Sequence, residues 1–352
     1  MKKSLAFLLA LVLCLALLAG CGSKGAAGSA ASASASASAS ASASAESVKL
    51  KIGYGIADST TMGKAVQTWA DKVSADTNGR VTFEIYPSGQ LGTMTEIIEA
   101  VDLGQLDIAL GDSSLMSETV PQLNLLSLPM LIKNYDGWKA LVNSDIGDAL
   151  KEQVAANTNI NVLGWMFNGF REIISSKEIH SLADCKGIII RSPEADIYIQ
   201  TLQRLNFTPT ALSFSEVYTA LQTGVVQACE TSYEQFISNS FYEEAKHMIE
   251  SNHMAATMSI LVNKDVWASI SADDQKILTD DYNTVMTQCN EDVNSESQTF
   301  KDQLLNDYGC DVYNYTDAEQ TELVSRFTDY WNQNAAKNGY EDLLKEAVAL
   351  RG

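Results

Sequence analysis

Residues 77–112, TNGRVTFEIYPSGQLGTMTEIIEAVDLGQLDIALGD, carry the pattern that decides the fold. VTFEIYP (81–87) alternates like a strand and is ended by Pro87-Ser88-Gly89. Met94, Ile97, Ile98 and Val101 then recur at helical spacing, Gly104 closes the helix, and LDIALGD (106–112) reads as another strand. The same rhythm precedes it. VKLKIGYGI (48–56) predicts a strand, Met62, Val66, Trp69 and Val73 predict a helix, and Asn78-Gly79 supplies its stop. Strand, helix, strand, helix, strand at this spacing predicts an α/β architecture with parallel pairing and right-handed crossovers.

Further along, INVLGWMF (160–167) and REIISS (171–176) predict strands either side of Asn168-Gly169, and GIIIRSP (187–193) predicts another. Helices are expected over about 194–206 and 215–223, each followed by a β-like run, and MSILVNK (258–264) predicts a strand returning to the first half. The crossings between halves are placed at about 168–170 and 255–257, where the composition breaks. From Ser271 to Asp307 no Pro or Gly interrupts the chain. Ser271 is a helix cap with Asp273 and Asp274 favourable at the positive end; the segment would make a helix of about 50 Å, either broken at the polar stretch Cys289 to Ser297 or bridging two lobes, and the bridge is the expectation. CDVYNY (310–315) predicts a late strand, and Thr316 with Glu319 a capping box opening a C-terminal helix.

The beginning of the chain fixes an address. Lys2 and Lys3 precede an apolar run from Leu5 to Leu18 that ends in Leu18-Ala19-Gly20-Cys21. That run is about 14 residues, shorter than the roughly 20 a membrane-spanning helix needs, and reads as a cleaved export leader. Its LAGC ending is similar to bacterial lipoprotein leaders, which implies residues 1–20 as signal peptide and lipidation of Cys21. Ser29 to Ala45 alternates Ala and Ser with no apolar face, so residues 21–46 are expected to be a flexible tether with a reach of roughly 25–30 Å.

Composition narrows the rest. The formal net charge is −20, and removal of Lys2 and Lys3 with the leader takes it to −22. No basic stripe exists to neutralise phosphates, which argues against nucleic acid as a partner. Cys185, Cys229, Cys289 and Cys310 show neither CxxC nor zinc-ligand spacing; one disulfide or four buried thiols both fit. No metal or cofactor signature stands out, since Gly53-Tyr54-Gly55 lacks the third glycine of a dinucleotide fingerprint. Nor is there a nucleophile motif. Glu244 and His247 have the spacing of half a di-iron site, but one copy reads as surface. No catalytic residue is assigned.

Arginine is more telling. Six arginines stand against eighteen lysines. Arg80, Arg204, Arg326 and Arg351 read as surface, whereas Arg171 and Arg191 each adjoin a strand in an apolar context. At the strand ends of an open α/β sheet, where ligands bind, a guanidinium fork matches a carboxylate with two parallel hydrogen bonds. The structural alternative is an internal ion pair with Asp196 or Glu194.

Three blocks carry a resemblance: residues 77–110 above, DCKGIIIRSPEADIY (184–198) and LSFSEVYTALQTGVVQACE (212–230). Together, in order and across about 48–335, they resemble the extracytoplasmic solute receptors of TRAP (tripartite ATP-independent periplasmic) transporters. The resemblance implies a two-lobed periplasmic-binding-protein type II-like fold with hinge strands and a long lobe-bridging helix. Lobe I would comprise 47–168 plus 257–290, and lobe II 169–256 plus 291–352. It further implies capture of a small organic acid outside the cytoplasm, with the TRAP membrane subunits as partners and the membrane reached through the N-terminal lipid. Arg191 would take the ligand carboxylate and Arg171 would add a contact; Phe214, Glu230, Thr231 and Asp112 would line the cleft. The chain departs from the family wording at Gln227-Ala228-Cys229-Glu230-Thr231, where Thr231 offers a hydroxyl in place of an amide. An early His-Pro pair is replaced by Thr60-Thr61-Met62. Two other classes compete: the binding protein of an ATP-driven importer, and a lipid-anchored hydrolase.

Overall fold

The computed structural model describes residues 47–352. The leader, Cys21 and the Ala/Ser tether lie outside the described residues.

Strand β1 (Val48–Tyr54) pairs in parallel with β2 (Val81–Tyr86) and with β3 (Ile108–Asp112), as the opening periodicity predicts. The helix Thr61–Asp76 is capped by the Thr60 hydroxyl, which accepts from Gly63 N at 3.0 Å. It buries Met62, Val66, Trp69 and Val73, the apolar members contributing roughly 1.5–3 kcal/mol each. Asn78 and Gly79 end it in the left-handed region. The helix Met94–Asp102 opens on a Thr93–Glu96 capping box and buries Ile97, Ile98 and Val101.

Strand β4 (Ile160–Ser175) runs on without the predicted interruption, and β8 (His247–Asn263) begins eleven residues earlier than its apolar run. The polar stretch Glu250–His253 hides that extension from any apolar count, yet both edges of β8 find partners there: β4 on one side and β9 (Asp311–Asn314) on the other. Short strands β5 (Ile189–Ser192), β6 (Thr208–Ala211) and β7 (Ala228–Thr231) complete the sheet, ordered β2-β1-β3-β8-β4-β7-β5-β6. Two parallel wings are thus joined through the long antiparallel pair β4 and β8. The β4–β8 register shifts between Phe167 and Phe170, opposite Thr257 and Ala255. Gly169 supplies the turn of the backbone there, with φ of 84°.

The helix Ala272–Asn306 is a single 35-residue element. Leu278, Tyr282 and Met286 lie in the core of the first wing, while Leu304 lies in the apolar cluster of the second with Cys229, Phe236 and Phe241. The helix therefore bridges both halves. Gly164 of β4 permits its close approach, since a Cβ there would sit 2.3 Å from the Tyr282 ring. Two helices unread from sequence, Tyr135–Val142 and Asp145–Asn157, add to the first half. The fold is α/β, of the two-lobed periplasmic-binding-protein type II-like class. Cys185, Cys229, Cys289 and Cys310 are free and buried, which decides between the two readings of the cysteines.

Candidate ligand-binding site

A cavity enclosing about 550 Å³, open space at its mouth included, lies where the two wings face one another. That is within the usual range for a small-molecule site. Arg191 and Arg171, Phe214, Thr231 and Asp112 all line it.

Arg191 sits on β5 behind Ile189 and Ile190 and is only 4% exposed. Its Nε donates to Leu212 O at 2.9 Å, and its guanidinium lies 5.6 Å from the centre of the Phe214 ring. Neither Nη has a hydrogen-bond partner among the described residues, and no carboxylate lies within ion-pair distance. The alternative pairing with Asp196 or Glu194 is not made. Burial pulls this guanidinium down to about 10, against the upward pull of Glu230 and with Arg171 pushing the same way as burial. It stays charged at neutral pH, but as a poorly solvated cation whose fork is unused.

Arg171 is different. It is buried on β4, and its Nη2 donates to Glu230 Oε1 at 2.8 Å and to Glu230 O at 3.0 Å, while Nε pairs with Oε2. Its guanidinium also lies 4.8 Å over the Tyr198 ring. Burial acts to lower the Arg171 pKa, but the Glu230 charge outweighs it and holds it up. Glu230 answers in kind: burial raises its carboxyl, yet Arg171 prevails and brings it to about 2. Glu230 is fully buried, also meets His253 Nε2 at 3.3 Å, and does not line the cavity. Its expected place on the cleft wall is therefore corrected: it stands behind Arg171 and fixes that fork. The register Ile173↔Glu230 between β4 and β7 is what brings the pair together.

Asp112 ends β3 with both oxygens engaged, Oδ1 accepting from Ser114 N at 2.8 Å and Oδ2 from the Tyr198 hydroxyl at 2.7 Å. The second bond joins the first wing to the helix Asp196–Arg204 of the other. A weaker one, Thr95 Oγ1 to Glu194 Oε2 at 3.3 Å, also crosses. Phe214 opens a 3-10 turn held by the Ser213–Glu216 capping box and packs edge-on against Phe241. Thr231 ends β7, buried beside Glu172 of β4.

Sequence reasoning missed Asn168 and Gln235. Both line the cavity, and Asn168 Oδ1 and Gln235 Nε2 are buried with no hydrogen-bond partner among the described residues. Asn168 was legible as part of a chain break but not as a polar group turned to use. Gln235 lies in the short helix Tyr233–Ser238 that follows Thr231 at the end of β7, and nothing in the local pattern singled it out.

The family model for bacterial extracellular solute-binding protein, family 7, matches residues 52–338. The sialic acid-binding periplasmic protein SiaP of Vibrio cholerae is 29% identical over 209 residues, which are 59% of this chain and 65% of that protein. The chain thus spans just under two thirds of that relative's length. The C4-dicarboxylate-binding protein DctB of Bacillus subtilis is 25% identical over 300 residues, 84% of each chain. Among solved structures, a TRAP periplasmic solute-binding protein from Haemophilus influenzae with bound L-gulonate superimposes with a TM-score of 0.82 at 22% identity, over 86% of this chain and 99% of that one. With that family model matched across residues 52–338, most of its length, this chain belongs to family 7 of the bacterial extracellular solute-binding proteins.

Proposed function

We propose that the protein captures a small organic acid outside the cytoplasm and presents it to the membrane subunits of a TRAP-type secondary transporter. The observation that carries the reading is Arg191: a buried cation whose two Nη groups have no partner among the described residues, facing the cavity between the wings. An incoming carboxylate would form two charge-assisted hydrogen bonds there and offset the desolvation of the guanidinium. Arg171, locked by Glu230, holds the wall in place.

The lobes in this reading are 47–168 plus 257–290 and 169–256 plus 291–352. The register shift in β4 near Gly169 is a natural hinge between them. Hydrogen bonds such as Tyr198 to Asp112 are available only when the lobes meet, so a guest that engages both walls shifts the equilibrium towards closure. Cys21, lipidated, and the Ala/Ser tract would hold the receptor near the membrane surface; the LAGC sequence supports this. The reading assigns no catalysis and no cofactor.

The test is calorimetry with a panel of organic acids on the full chain and on Arg191→Ala and Arg191→Lys. Arg191→Ala should lose nearly all affinity, and Arg191→Lys should retain little because the planar fork is gone. Unchanged affinity in Arg191→Ala would remove the physical basis of the proposal.

A further inference from the structure

The two walls of the cavity are chemically unlike. The first wing contributes Ile56, Met94, Leu115 and Met258, an apolar surface. The polar groups come mainly from the second wing, and most are already engaged. Asp112 holds Ser114 N and the Tyr198 hydroxyl, the Ser213 hydroxyl donates to Glu216 at 2.6 Å, and Arg171 is held by Glu230. What remains for a guest is the Arg191 fork, Arg171 Nη1, Asn168 Oδ1, Gln235 Nε2 and the Thr231 hydroxyl. The Gln235 amide is oriented by Asn239 Nδ2, which donates to its Oε1 at 3.2 Å and leaves the amino group as the free end. Thr231 and Arg191 lie towards the same ends of β7 and β5, parallel neighbours in the sheet, and Asn168 and Gln235 line the same cavity.

Charge completes the picture. The lining cations Arg171 and Arg191 face the lining carboxylates Asp112 and Glu194, with Glu230 buried just behind, and no Lys or His lines the cavity. One negative charge finds Arg191; a second would meet Arg171, whose charge Glu230 already balances, or neutral, acidic and apolar side chains.

We propose that the guest is a monocarboxylate with a hydrocarbon tail and a single hydrogen-bonding substituent near the carboxyl group, such as a 2-hydroxy acid, and not a dicarboxylate or a polyhydroxylated sugar acid. This rests on the carboxylate reading of Arg191 above. A hydroxyl beside the carboxyl group can donate to Asn168 Oδ1 and accept from Gln235 Nε2, satisfying two buried atoms that otherwise lack partners. The tail then lies against Met94, Leu115, Ile56 and Met258. A sugar acid would press further hydroxyls onto that surface, where each loses water without gaining a partner.

The experiment compares four probes by calorimetry on the full chain: 2-hydroxy-4-methylpentanoate, 4-methylpentanoate, succinate and D-galactonate. The hydroxy acid should bind tightest, its des-hydroxy analogue about tenfold weaker, and succinate and galactonate at least about a hundredfold weaker. Gln235→Leu should erase the difference between the first two probes, and Leu115→Asn should weaken both while leaving the fold intact by circular dichroism. Tight binding of succinate or galactonate that Arg191→Ala abolishes would overturn this inference and leave the carboxylate reading standing. Binding of none of the four, or binding that survives Arg191→Ala, would overturn both.

Discussion

Arg191 and Arg171 are both buried arginines, yet replacing each by methionine should move the stability of the empty protein in opposite directions. Arg191 has no matching carboxylate, and burial pulls its guanidinium down to about 10. That displacement corresponds to on the order of 3 kcal/mol by which burial disfavours the cation in the folded state. Methionine removes this penalty and forfeits the hydrogen bond to Leu212 O, which contributes about 1 kcal/mol. The contact with Phe214 is largely kept by the thioether. The empty Arg191→Met protein should therefore be as stable as the parent, or up to about 2 kcal/mol more stable. Arg171→Met instead leaves Glu230 fully buried with only the His253 ring beside it, a loss of about 3–5 kcal/mol. Urea denaturation of ligand-stripped proteins, followed by tryptophan fluorescence, reads both. With a saturating cognate acid the parent should gain stability and Arg191→Met should not. Equal destabilisation by the two substitutions would refute the idea that Arg191 is an unmatched cation held for a guest.

Two further outcomes are expected. Tyr198→Phe removes the 2.7 Å hydrogen bond to Asp112 that joins the two wings, and should speed ligand dissociation about fivefold in stopped-flow experiments; an unchanged off-rate would remove that bond from closure. Glu172 is pushed up to about 8, first by burial and against the N–H groups of Asn252 and Ser251 that it accepts. A carboxyl with a folded pKa above its unfolded value binds more protons folded than unfolded, so stability should fall as pH rises towards 8. His253, lowered by burial, acts with the opposite sign below its ordinary range; between pH 7 and 8 the Glu172 contribution should dominate, at about 1 kcal/mol. Glu172→Gln should flatten that decline in urea midpoints, and an equally steep profile in the variant would discount Glu172.

Much was legible before any coordinates. Periodicity at Met62, Val66, Trp69 and Val73, and at Met94, Ile97, Ile98 and Val101, identifies helices because burial repeats with the helical turn. The Thr316–Glu319 pattern marks a helix start because the unpaired N–H groups need acceptors. Arg191 was legible for a chemical reason: a guanidinium after three isoleucines must either find an internal acid or serve a guest.

What the sequence by itself determined is local: where strands and helices begin, which faces are apolar, and that two arginines sit in unusual company. Only the tertiary structure decided which of the two was free. Glu230 lies 59 residues from Arg171, and nothing in their spacing predicts that β4 and β7 will pair in a register that locks them together. Asn168 and Gln235 were hidden for the same reason, since a polar side chain becomes significant only when folding strips its water and supplies no replacement. Ion pairing and desolvation depend on distances across the fold, and a one-dimensional pattern does not contain them.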